Sequence, residues 1–271
     1  MSSLKADLLV TPQDIYAQST TQGTDLGAKA TTGDGRVFRY VMNGAAALVA
    51  GTLVSSPAQD TTNLSPTTGL LPLAVGATYS TQQTSLAIGS KYIALGLSAS
   101  TFPSITAAQS ALLKGGYMTT VAGTGVGYTY KISSVSAATA GATACFVTLE
   151  DPIQVAVLVS TGVTLTQNPY AGVIINPTTV SGSPVGFAVY PISASTNIGA
   201  STQIAYYGWV QTRGICSGLI GAASVTVGKS LMPSAATAGA LIVSTGVFTP
   251  VANTIVATTN AEYDSVFACI E

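Results

Sequence analysis

The side chains that carry most enzyme chemistry are few and scattered in this chain. Histidine, the commonest general acid–base, is absent, which leaves positioned Asp, Glu, Lys, Tyr or Cys for proton transfer. Glu150 and Asp151 are adjacent and could divide acid and base roles, but Pro152 follows them. Asp-Pro favours a turn, so a solvated turn between two strands is expected. Glu262 and Asp264 flank Tyr263 and could meet Glu271 around a cation. Hard-cation sites need several converging oxygens, and no dense ligand loop is present. Cys145, Cys216 and Cys269 are far apart, without a Cys-x-x-Cys pair, whereas zinc needs a Cys or His cluster. Each sits in an apolar run, so buried free thiols are expected rather than disulfides. Gly123-Thr-Gly-Val-Gly127 lacks the Gly-Lys-Ser/Thr ending of a phosphate loop, and no helix follows it. No Gly-x-Ser-x-Gly elbow occurs. The expectation is a non-enzymatic chain with no catalytic residue, no metal and no cofactor.

Recognition remains. Tyr206-Tyr-Gly-Trp209 holds the single tryptophan, and strand alternation puts Tyr207 and Trp209 on one face. Core packing, a sugar-stacking platform and an interface anchor are the three uses such a pair can have. Asn63-Leu-Ser65 matches a glycosylation acceptor, which matters only after export.

The elements that hold these residues read as strands. Arg36–Met42 alternates: Phe38, Tyr40 and Met42 share one face, Val37, Arg39 and Val41 the other. Asp34-Gly35 before it and Asn43-Gly44 after it supply the positive φ of tight turns, so a hairpin into the run at 47–54 is expected. Further strands are expected at 92–97, 126–133, 144–149, 153–160, 172–175, 185–190, 204–211, 240–244 and 265–270, from their β-branched and aromatic content. Only 106–114 has helical character, with Thr106 as its cap and Gly115-Gly116 as its end. The fold class expected is all-β: many short antiparallel strands in a sandwich or barrel-like body.

Composition sharpens this. Charged residues make up 7% of 271 residues, against about 25% in ordinary globular chains. Residues 152–212 carry no charge at all. Net charge is −1, which offers nothing to nucleic acid or to an anionic membrane and favours self-association. Prolines and glycines break every apolar stretch before it reaches the ~18 residues of a membrane helix. A membrane barrel would need export, and Met1–Asp7 opens no signal peptide. Residues 1–35 are polar after Tyr16 and read as an extended N-terminal arm, ordered only where something holds it, with 8–10 as the docking part. Deleting the arm is expected to leave a folded body. Residues 36–271 form that body, with a division into two lobes near 160 as one option. Loops at 55–70 and 194–202 could reach a partner.

Several phrases occur together: Asn168-Pro-Tyr-Ala-Gly-Val-Ile-Ile-Asn-Pro177, Gly182-Ser-Pro-Val-Gly186 and Tyr207-Gly-Trp-Val-Gln-Thr-Arg-Gly214. With 35–44 and 262–270 they resemble structural proteins of tailed bacteriophages, most nearly capsid decoration (cement) proteins. The resemblance implies a virion protein made in the host cytoplasm and bound to the outer capsid surface. It implies the major capsid protein as partner and a homo-oligomer, a trimer in preference to a dimer. Arg36, Arg39, Tyr207, Trp209 and Arg213 are the candidate interface residues. The alternatives are another virion part (major capsid protein, head fibre or tail component) or a glycan-binding surface adhesin. A major capsid protein of the common tailed-phage fold would have a long spine helix, which is not readable here.

Overall fold

The computed structural model describes residues 8–9, 11–57, 71–72, 85–96, 105, 107–137, 145–158, 162–179, 181–221, 224–246, 249–259 and 261–271. In chain order its strands are β1 (Leu8–Leu9), β2 (Lys29–Thr31), β3 (Val37–Asn43), β4 (Leu53–Ser55), β5 (Leu71–Pro72), β6 (Ser85–Leu86), β7 (Tyr92–Gly96), β8 (Tyr117–Ala122), β9 (Thr129–Val135), β10 (Cys145–Leu149), β11 (Val157–Leu158), β12 (Gly162–Thr166), β13 (Ala171–Ile175), β14 (Pro184–Ala188), β15 (Tyr207–Leu219), β16 (Ser230–Pro233), β17 (Leu241–Val243), β18 (Ala252–Thr254) and β19 (Tyr263–Cys269). Two short helices, α1 (Pro12–Ile15) and α2 (Ala107–Leu113), accompany them among the described residues. The protein is all-β. Asn63–Ser65, Thr106, Val10 and most of the 55–70 loop lie outside the described residues.

The chain divides into two compact units: residues 1–58, 169–196 and 204–271 in the first, 59–168 and 197–203 in the second. In the first unit, β3 pairs β13, β13 pairs β4, β4 pairs β14, β14 pairs β15, and β15 pairs β3 again. Five strands therefore close a barrel. The β3–β13 contact is parallel and the other four are antiparallel. Each barrel strand contributes one valine to a common core: Val41, Val54, Val173, Val185 and Val210. β-Branched side chains suit such a pleated wall.

β15 changes partners near Arg213. Its first half pairs β3 and β14; from Arg213 to Leu219 it pairs β19. β19 continues through β18 to β16 and β17. A second core, which includes Leu53, Phe187, Cys216, Leu241 and Val266, fills the space beneath this extension. Sandwich-like packing thus adjoins the barrel within one unit.

The hairpin expected at Asn43-Gly44 does not form. β13 lies between β3 and β4. Asn43 is fully buried, and its Nδ2 donates to the carbonyls of Ala46, Ile192 and Ser193 at 2.9, 3.1 and 2.8 Å. A side chain spent on three main-chain carbonyls anchors a crossing rather than a tight turn. A Cβ on Gly44 would meet the carbonyl oxygens of Gly172 and Val173 at 2.9 Å, so glycine here admits the neighbouring strand. At Asp34-Gly35 a hairpin does form, between β2 and β3, with Gly35 at φ +82°.

Residues 11–35, which include α1, are held by the first unit itself. Thr11 N–H and Oγ1 both donate to Asp14 Oδ2, at 2.9 and 2.6 Å, capping α1. Ser19 exchanges two main-chain hydrogen bonds with Tyr207, Gln18 binds Ser193 through both amide atoms, and Gly27 N–H donates to Tyr40 O at 2.8 Å. β1 pairs β2 in parallel. Ile15 and Ala30 are fully buried against Phe38, Tyr40 and Trp209. β3 is therefore covered on both faces, by the barrel core on one and by this segment on the other.

In the second unit, six strands run in the order β12-β8-β9-β10-β7-β5, all antiparallel, and β6 pairs β11. One face packs a separate core that includes Ile93, Met118, Ile132, Val147 and Leu165. α2 ends where Gly115 takes φ +73°.

Candidate interaction site

The first unit gathers the sequence-selected residues around β3 and β15. Tyr207 and Trp209 share a face, as alternation requires, and both meet Tyr40. The Tyr40 and Tyr207 rings are parallel with centroids 6.0 Å apart; Trp209 stands edge-on to Tyr40 at 5.0 Å. Trp209 is only 7% exposed and Tyr40 is equally buried, so their ring faces are spent on each other and on Ile15. These two are core. Tyr207 remains half-buried. Burial raises the Tyr40 hydroxyl pKa, partly offset by the Gly23 N–H that donates to it at 3.1 Å; burial and then the neighbouring Tyr40 raise that of Tyr207. A cleft of about 450 Å³ opens here, lined by Gln13, Asp14, Gln18, Tyr40, Tyr207 and Trp209 among others.

The three arginines sit differently. Arg36 Nε pairs with Asp34 Oδ2 at 2.8 Å, and its guanidinium lies 5.6 Å from the Phe38 ring centroid. Burial opposes its charge, but hydrogen bonds to Tyr16 and Asp34 outweigh this and its pKa is raised. Arg39 Nε pairs with Glu271 at 2.6 Å and Nη1 donates to Gly27 O at 2.9 Å, tying β3 to the C-terminus and the N-terminal segment. Arg213 is exposed and has no ion pair among the described residues.

A second hollow, of about 230 Å³, lies beside β15 and is lined by Tyr16, Arg36, Gly51, Gln211, Ser217 and Tyr263 among others. Gln211 is fully buried. Its Nε2 donates to the carbonyls of Arg213 and Ile215, both at 3.0 Å, and its Oε1 has no partner. A buried acceptor left bare costs free energy until an N–H or O–H reaches it.

Sequence reasoning did not single out the open face of the β15–β19 ladder. Its rungs are Arg213–Cys269, Ile215–Phe267, Ser217–Ser265 and Leu219–Tyr263. Ile215 is 56% exposed, Tyr263 51% and Phe267 37%, while the alternate residues Cys216, Val266 and Ala268 are buried in the second core. Apolar residues occur on both faces of β19, so composition alone does not separate its covered face from its open one. The signal available was alternation: Tyr263, Ser265, Phe267 and Cys269 form one register, Val266 and Ala268 the other.

The acids do not converge: among the described residues no group of three or more His, Cys, Asp or Glu side chains could hold a metal. Glu150 instead pairs with Lys131 at 3.0 Å. No described helix is long and apolar enough to cross a membrane. The cysteines are free thiols, two buried and Cys269 half-buried. Burial pushes Cys145 up to about 11 and Cys216 up to about 12, and raises Cys269 as well. With a disulfide reagent at mildly alkaline pH, Cys269 should therefore react first, and Cys145 and Cys216 only as the protein unfolds. Immediate labelling of all three in the native protein would contradict this. The folded pKa values lie above the ordinary 9.0. The stability these thiols contribute is thus complete below pH 9 and is lost as pH rises through about 11 and 12.

No protein-family model, curated protein or solved structure matches this chain.

Proposed function

We propose that this chain is a non-enzymatic structural protein of a phage virion, which binds the outer surface of the capsid and stabilises contacts between capsomers. The observation that carries the reading is the open β15–β19 face. Its apolar side chains Ile215, Tyr263 and Phe267 remain in water in a single chain, and contiguous exposed apolar surface marks a contact site. Tyr, Phe and Arg are also the residue types enriched where interfaces bind most strongly. The phrases that resemble tailed-phage proteins fall on β13, the run into β14 and the first half of β15, which are barrel strands. The low charge of the chain suits repeated side-by-side packing, in which each charge would have to be desolvated.

The partner in this reading is the major capsid protein. Purified protein added to capsids that lack it should bind saturably, with a copy number on the scale of the capsomers. A few copies per particle would point to a tail or vertex component. Binding to glycans with none to capsids would overturn the reading in favour of an adhesin.

A further inference from the structure

We propose that the cleft bounded by the N-terminal segment, β3 and β15 is a binding site for a neutral saccharide of one or two pyranose rings. The site lies wholly within the first unit and does not depend on the assembly role proposed above. Its volume of about 450 Å³ falls in the ~300–1,000 Å³ range of small-ligand sites. Tyr40, Tyr207 and Trp209 line it from the paired strands β3 and β15, and Gln13, Asp14 and Gln18 from α1 and the residues just after it. Asp14 is the one charged residue in the lining; the other polar groups are carboxamides and hydroxyls. An aromatic wall with a few polar groups around it is the usual make-up of a small-ligand site.

Two groups select the ligand. Tyr40 is only 6% exposed yet lines the cleft. Its hydroxyl oxygen accepts from Gly23 N–H at 3.1 Å, and its own proton has no acceptor among the described residues. Burial raises its pKa, so the proton stays in place at neutral pH. A buried O–H of this kind is unsatisfied until a lone pair reaches it. Asp14 offers the opposite. Its Oδ2 takes both hydrogen bonds from Thr11, which lower its pKa and keep it ionised, and its Oδ1 has no donor among the described residues. A fitting ligand therefore accepts from Tyr40 and donates to Asp14, and a hydroxyl group does both. An anion has no proton for Asp14 and is repelled by its charge. A quaternary ammonium ion has no lone pair for Tyr40, and it needs open ring faces, whereas Tyr40 and Trp209 spend theirs on each other. Tyr207, half-buried, keeps surface for the C–H face of a sugar ring. Gln18, fixed at both amide atoms by Ser193, has an N–H and a lone pair left for further hydroxyls.

The test uses the full chain and saturation-transfer NMR titrations. The probes are glucose, galactose, mannose and the N-acetylated hexosamines, with choline as the cationic and acetate as the anionic control. At least one sugar should bind saturably, and neither control should. Tyr40→Phe removes one oxygen and keeps the ring, and Gly23 is exposed, so water replaces the lost acceptor for its N–H. This variant should fold as the wild type does and bind the sugar roughly two- to tenfold more weakly, the worth of one hydrogen bond. Tyr207→Leu should lose roughly fivefold or more with the stacking surface. A panel with no bound sugar, preference for choline or acetate, or a sugar held as tightly by Tyr40→Phe as by the wild type would each overturn the proposal. Capsid binding separates this site from the structural role. Capsid binding without sugar binding loses only the site; sugar binding without capsid binding keeps the site and loses the structural role.

Discussion

Deleting residues 1–35 should abolish cooperative unfolding of the first unit. The sequence suggested the opposite, that the arm could be cut away and leave a folded body. The difference lies in Ile15 and Ala30, which are fully buried against Phe38, Tyr40 and Trp209. Replacing a buried isoleucine by alanine costs about 2–5 kcal/mol, and the deletion goes further. It removes β2 from the edge of β3, cuts both hydrogen bonds between Ser19 and Tyr207, and uncovers three aromatic rings at once. Each such ring buries about 150–250 Å², worth about 25 cal/mol per Å². The total approaches the ~5–15 kcal/mol that holds a whole domain. Urea unfolding followed by Trp209 fluorescence checks this. The deletion variant should show a broad, non-cooperative change and bind a hydrophobic dye, and Ile15→Ala should keep a sharp transition at lower urea. A sharp transition in the deletion variant near the wild-type midpoint would contradict the expectation.

Gly199→Ala should be among the most damaging single substitutions in the second unit. Two penalties coincide there. Gly199 takes φ +81°, and a Cβ would stand 2.2 Å from the carbonyl oxygen of Ala107, at the start of α2. The left-handed conformation costs an L-residue about 1–2 kcal/mol, and forcing an atom into packed backbone costs about 1–3 kcal/mol more. A loss of about 2–5 kcal/mol is expected as the sum of the two. Two controls separate the causes. Gly35 has φ +82° with nothing near its absent Cβ, so Gly35→Ala meets only the backbone penalty. Gly33 has open space and no positive φ, so Gly33→Ala should be near neutral. Thermal unfolding of the three variants should rank them in that order, and an undiminished transition for Gly199→Ala would contradict the argument.

The strands that could be read from the sequence are those whose own side chains demand a sheet. β3, β10, β13, β14 and β19 are dense in valine, isoleucine and aromatics, and each lies close to its expected range. β8, β12, β16, β18 and the second half of β15 were missed. Sequences such as Gly162-Val-Thr-Leu-Thr166 and Thr212-Arg-Gly-Ile-Cys-Ser-Gly218 are too rich in glycine, serine and threonine to announce a strand, and pairing with a neighbour makes them one. Barrel closure was beyond reach for the same reason, because the parallel β3–β13 contact joins segments far apart in the chain. The N-terminal segment misled because its docking is spread over a few scattered apolar residues in a polar run, Ile15, Leu26, Ala28 and Ala30, and over main-chain pairing that composition does not show. At the site, alternation correctly put Tyr207 and Trp209 on one face, yet their partner Tyr40 came from another strand. The β15–β19 face stayed hidden because an apolar residue looks the same in sequence whether it faces a core or the solvent.

β4 and β13 are antiparallel partners, yet residues 59–168, most of the second unit, intervene between them. In an ordinary hairpin the turn dictates which residue faces which. No turn can do so across that span. The alignment of Ile174 with Ser55 and of Ile175 with Val54 must come from the side chains alone, because slipping by one residue would turn Val54 and Val173 out of the barrel. An insertion or deletion anywhere within 59–168 therefore leaves the barrel's bookkeeping of neighbours intact, and the added entropy of closing a longer loop grows only by about 0.6 kcal/mol per doubling of its length. The first unit is thus a frame in which the intervening segment can be exchanged or resized without re-threading the strands on either side of it.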